Sequence, residues 1–148
     1  MPQGAVSPVS DIAHVIQLAV APVFLLSAVA AFLGVLANRL GRIIDRARRL
    51  EERLAAATPG EAEALHDMLG TLSKRAKLVS SAITLCTTCA LLICCVVIVL
   101  FLSAFVHLTL NKISAFVFIA AMLALFGGLL FFLREIFLAT SVLRIGKH

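Results

Sequence analysis

Arg39, Arg42, Arg46, Arg49 and Arg53 recur at spacings of three and four residues, which lines five guanidiniums along one stripe if the segment is helical. Arginine presents a rigid fork of N–H donors that holds phosphate or carboxylate through two parallel hydrogen bonds. The stripe therefore has two readings. It is a solvated face touching lipid head groups, with intrahelical partners such as Asp45–Arg49 and Arg48–Glu52, or it is a ladder turned towards a neighbouring subunit or an anionic ligand. Lys74, Arg75 and Lys77 form a second basic group. Together these eight residues are the expected lipid or anion contacts.

Other reactive residue types lead nowhere catalytic. Cys86 and Cys89 form a CxxC word followed by Cys94 and Cys95, but all four lie inside one uncharged run with no carboxylate or histidine placed to complete a metal shell. They read as small apolar packing residues. His14 and His107 fall near the outer ends of the first two apolar runs, where two histidines without a third ligand suit interfacial anchoring better than metal. Gln17, one turn from His14, is a candidate for an interhelical hydrogen bond. There is no Ser/His/Asp set, no carboxylate pair at membrane depth and no phosphate-binding glycine loop. The chain is expected to be no enzyme and to need no cofactor or metal.

The elements that carry these residues are membrane spans. The chain has 148 residues, 61% hydrophobic and 14% charged, with a mean hydropathy of +1.08. A soluble domain averages about 45–50% apolar and 25% charged residues. Three uncharged runs stand out: Ile12–Ala37, Leu78–Leu110 and Ile113–Leu133. Each exceeds the ~20 residues a helix needs to cross the hydrocarbon core. The first lacks a basic leader and is longer than a signal-peptide core, so it reads as an uncleaved anchor. Pro22 inside it removes a hydrogen bond to the Leu18 carbonyl and is expected to kink the helix.

Charge gives the orientation. Nine of the 13 Lys and Arg residues lie between Asn38 and Lys77; Arg134, Arg144 and Lys147 lie in the tail, and only Lys112 lies on the other side. By the positive-inside rule the long loop and C-terminus are cytoplasmic and the N-terminus is outside. The net charge of +5 is thus a topology signal rather than one for nucleic acid. It is also segregated. Residues 51–67 carry a net −4, whereas 38–50 and 68–77 together carry +7. A basic collar suits anionic lipid heads, and an acidic tip is where an unidentified cytoplasmic protein would meet the chain. With no Trp or Tyr and ten Phe, the chain lacks the usual aromatic belt.

Between spans one and two, Leu40, Ile43, Ala47, Leu50, Leu54 and Ala57 recur at heptad-like spacing, as do Ala62, Leu65, Leu69, Leu72, Ala76 and Val79. Thr58-Pro59-Gly60-Glu61 separates the two seams. It reads as an N-cap, a proline at the first helical position and a glutamate closing a capping box. One antiparallel register satisfies both seams: Ala57 faces Ala62, Leu54 faces Leu65, Leu50 faces Leu69, Ala47 faces Leu72, Ile43 faces Ala76 and Leu40 faces Val79. Two separate helices lying on the membrane are the alternative. The expected fold is all-α and integral to the membrane, a single domain over residues 1–148. Its spans are 12–37, 79–107 and 114–134. A cytoplasmic antiparallel coiled-coil hairpin covers 38–78, and a helical extension over 135–145 ends at Gly146.

The runs HVIQLAVAPVFLLS (14–27) and NRLGRIIDRAR (38–48) resemble the bacterial family of small membrane proteins catalogued as domain of unknown function 2721. The resemblance implies a bacterial inner-membrane protein with this three-span plan and carries no catalytic residue with it.

Small residues suggest where helices approach. Ala120, Ala124 and Gly128 form a ladder on the third span, and Ser27, Ala31, Gly34 and Asn38 form one on the first. Gln17, Pro22, Ala120, Ala124 and Gly128 are thus the expected helix-packing residues. Arg134 and Glu135, at the end of the third span, read as a structural ion pair, with Arg134–Asp45 an open alternative. The functional expectation is a non-enzymatic homo-oligomeric structural or interaction protein whose basic collar contacts anionic lipid. The alternative is an oligomeric ion channel with an arginine-lined cytoplasmic vestibule, which would favour anions.

Overall fold

A computed structural model describes residues 8–106 and 111–143, which form three α-helices: α1 (Pro8–Leu54), α2 (Pro59–Val106) and α3 (Asn111–Leu143). His107, the end of the second span beyond Val106, and residues 144–148, with Arg144, Gly146 and Lys147, lie outside the described residues.

Each helix contains a stretch long and apolar enough to cross a membrane. Its outer surface suits that environment. Phe24, Phe116, Phe126 and Phe137 all stand exposed, Phe116 at 79%, where water would penalise them and acyl chains would not. Several hydroxyls within the apolar stretches are satisfied by their own helix. Thr84, Thr87 and Thr88 donate to the carbonyls of Ser80, Ile83 and Thr84, and Ser27 to that of Val23.

α2 lies between the other two helices and packs against both, whereas the described backbones of α1 and α3 do not approach each other. Apart from Ala19, the buried residues of α1 follow one pattern. Val29, Leu36, Ile43 and Leu50 are all buried at seven-residue intervals, and Pro22 holds the same position one step earlier. α1 runs through Pro22 as one helix. Ile43 and Ala47 border the same groove as Leu72 and Ala76. Far along the pair, Ala19 and Val23 share another groove with Val97 and Phe101. α1 and α2 therefore run antiparallel along their length.

On α3 the buried positions are Ser114, Ala121, Gly128 and Glu135, again seven apart. Ala124 is half-buried, but Ala120 is exposed, and Ala121 takes the packing position in its place. At Gly128 the approach to α2 is close. A Cβ added there would lie 2.9 Å from Cys86 Sγ and 3.3 Å from the Ala82 carbonyl oxygen. Cys86 and Cys89 are buried on the same face of α2, while Cys94 and Cys95 are exposed. Gln17 is exposed on α1, as are Ser27, Ala31, Gly34 and Asn38.

The turn into α2 differs in detail from a capping box. The backbone N–H of Thr58 donates to Glu61 Oε2 at 3.2 Å, as such a box requires. The Thr58 hydroxyl, however, donates to the same carboxylate at 2.8 Å instead of accepting from the Glu61 N–H, which turns to the Thr58 carbonyl. Two donors on one carboxylate hold the Glu61 carboxyl below its usual range, the hydroxyl contributing most. A depressed carboxylate adds stability above its unfolded pKa and loses it as pH falls through the folded value. Thr58→Val should move the Glu61 titration midpoint upward, read by carbon NMR of the carboxyl in detergent-solubilised protein; an unchanged midpoint would contradict the hydroxyl's role.

Replacing Gly128 with Leu should destabilise the protein by about 1–3 kcal/mol through overpacking. Gly34→Ala, with nothing within 4 Å of the new methyl, should be neutral or gain up to ~1 kcal/mol of helix propensity. Thermal unfolding in detergent that ranks the two equally would refute the close approach of α2 and α3.

Candidate functional site

The three apolar runs end at nearly the same level. Arg39 follows the first by two residues, Arg75 precedes the second by three, and Glu135 follows the third by two. Helix geometry then turns each towards the centre. On α1, Phe32 and Arg39 are seven residues apart and share a face; on α3, Phe132 and Glu135 are three apart and do the same.

Glu135 is fully buried. An isolated carboxylate there would cost several kcal/mol, so it needs partners. It has one from each of the other helices. Arg75 donates to Oε1 from both Nε, at 3.0 Å, and Nη2, at 2.9 Å. Arg39 Nε lies 3.0 Å from Oε2. That approach is off the axis of a hydrogen bond, and Oε2 has no aligned donor among the described residues. Arg75 is thus the better-fitted partner, and Arg39 contributes mainly charge. The Arg39 guanidinium also sits 5.3 Å from the centre of the Phe132 ring. Phe132 in turn meets Phe32 edge to face, with ring centres 5.3 Å apart and planes at 87°. These side chains bridge α1 and α3, whose backbones stay apart.

Above the triad lies a groove of about 370 Å³ between α1 and α2, lined by Arg39, Arg42, Ile43, Arg46, Leu72 and Arg75. Arg39 and Arg75 keep 27% and 20% of their side-chain surface open; Arg42 and Arg46 are exposed. The remaining expected basic residues, Arg49, Arg53, Lys74 and Lys77, are exposed outside this groove. Among the described residues, the ion pairs are the two made by Glu135. The intrahelical pairs Asp45–Arg49 and Arg48–Glu52 are not formed, and Arg134 pairs with neither Glu135 nor Asp45. The physical reason is direction: Arg134 and Glu135 are adjacent, so their side chains diverge by about 100°, leaving Arg134 exposed and Glu135 inside.

Sequence reasoning therefore missed Glu135 as the central residue. Its signal was the seven-residue spacing from Gly128 on the packing face.

A family model described as a protein of unknown function, DUF2721, matches residues 19–145. The chain belongs to that family. The match contains the whole triad and every groove residue. No curated protein and no solved structure matches the chain, so the DUF2721 site must be read from its own geometry.

Breaking a buried ion pair from one side typically costs about 3–5 kcal/mol, because the other charge is left unpaired. Glu135→Gln should fall near the lower end, about 3 kcal/mol, since both arginines retain some exposure. Arg75→Gln should cost less, and Arg39→Gln least. Chemical unfolding in mixed micelles checks the order; a neutral Glu135→Gln would sink the triad as a stabilising centre.

Proposed function

We propose that the protein is a non-enzymatic, homo-oligomeric membrane protein that organises itself against anionic lipid. In this reading it is a multi-pass protein of the bacterial inner membrane, with its N-terminus outside and its C-terminus in the cytoplasm. The polar ends of α1 and α2 form an antiparallel coiled-coil hairpin in the cytoplasm. The observation that carries the reading is the division of the basic residues. Two are drawn in to neutralise Glu135, while Arg42, Arg46, Arg49, Arg53, Lys74 and Lys77 stay exposed. Exposed basic residues beside apolar spans attract anionic head groups by about 1 kcal/mol each.

Self-association is supported by what α1 leaves uncovered. Ser27, Ala31, Gly34 and Asn38 face away from α2 and are exposed, and nothing lies within 4 Å of a methyl added at Gly34. Small-residue stripes let a second helix approach closely in lipid. Two of the arginines that an anion vestibule would need are held by Glu135 of the same chain, which puts the channel reading second.

Mass measurement of the full chain in nanodiscs should find dimers or larger assemblies. Gly34→Leu, which fills the stripe, should shift them towards monomer while leaving helix content intact. A wild-type protein that is monomeric at every loading overturns the oligomeric reading.

A further inference from the structure

The groove lined by Arg39, Arg42, Arg46 and Arg75 is more than a stretch of basic collar. Four of its six lining residues are arginines and none is acidic. Arg39, Arg42 and Arg46 rise along one side of α1 over about 10 Å at 1.5 Å per residue, and Arg75 closes the groove from α2. Beneath them sits one carboxylate, so the cluster holds a formal +3. Each guanidinium carries five N–H donors. Glu135 accepts from two on Arg75 and pairs with Arg39 by charge without an aligned hydrogen bond; the others make no side-chain hydrogen bond among the described residues.

Glu135 also does something for a ligand. By holding Arg39 and Arg75 in place, aided by the Phe132 ring against Arg39, it removes much of the side-chain freedom that binding would otherwise have to freeze. Ile43 and Leu72 add apolar surface between the arginines. Like charges crowded in such a setting repel one another until an anion joins them.

We infer that this groove is a binding site for a phosphate group, gripped by the arginine forks and prepared by Glu135. The inference rests on the membrane reading above, which sets the groove at head-group level. A phospholipid head and a soluble phosphate compound offer the same chemistry, and the test separates them.

The full chain is placed in phosphatidylcholine nanodiscs, and binding of labelled phosphatidylglycerol is measured for wild type, Arg42→Gln/Arg46→Gln and Arg49→Gln/Arg53→Gln. All four residues are exposed and none touches Glu135, so neither pair should disturb folding; circular dichroism and thermal midpoints check this. Inorganic phosphate and pyrophosphate are added as competitors and also titrated directly. Loss of charge-assisted hydrogen bonds in the groove should weaken binding about tenfold or more for the Arg42/Arg46 pair. The Arg49/Arg53 pair, on the same stripe outside the groove, should stay within about twofold of wild type. Selective loss without competition assigns the site to a lipid head; selective loss with competition, or selective loss of pyrophosphate binding alone, assigns it to a soluble phosphate compound. Equal weakening by the two pairs overturns the groove while leaving a diffuse lipid-binding collar standing. Wild-type protein that binds neither probe overturns both.

Discussion

Glu135 is the point on which the helices depend for their mutual arrangement. A carboxylate with no exposure is stable only where opposite charge is held against it. Here that charge comes from two different helices, Arg39 of α1 and Arg75 of α2. Apolar packing alone tolerates sliding and rotation between helices in lipid, because lipid tails are as apolar as the side chains they replace. An ion triad does not. It sets the axial position and rotation of α1, α2 and α3 at one level, and the phenylalanine pair Phe32–Phe132 adds a second constraint between α1 and α3 one to two turns away.

The packing around this level follows from it. α2 sits in the middle and supplies the apolar contacts on both sides. Seven-residue spacing runs through the buried positions of α1 from Val29 to Leu50, crossing the end of the apolar stretch without interruption. Towards α3 the contact tightens, since Gly128 lets Cys86 and the Ala82 carbonyl come close. The cysteines thus act through their small volume, and the CxxC spacing puts Cys86 and Cys89 together on the buried face.

Much of this architecture was legible in the residues. Uncharged runs give the spans because charge is so costly in hydrocarbon, and the spacing of Ile43, Leu50, Leu72 and Val79 marks residues that are in fact buried. The small-residue ladder on α3 lies one step out of phase with the buried face: Ala120, Ala124 and Gly128 follow a four-residue stride, whereas the buried face follows sevens through Ala121 and Gly128. Over two turns a four-residue stride drifts around the helix by about 40° per step, enough to expose Ala120. Glu135 was obscured for a different reason. Its neighbour Arg134 offered an apparent partner in the sequence, and the true partners lie 60 and 96 positions away, a separation that no local pattern encodes.

The order of the helices along the chain gives the triad a further meaning during synthesis. Both arginines are made before the carboxylate that joins them, because Glu135 belongs to the third helix. While only α1 and α2 have been made, Arg39 and Arg75 are two positive charges without the carboxylate that joins them. Arrival of α3 brings the one negative charge that lets all three helices close. Until Glu135 is made, Arg39 and Arg75 lack the carboxylate they share in the folded protein, so the third helix carries the charge that the first two await.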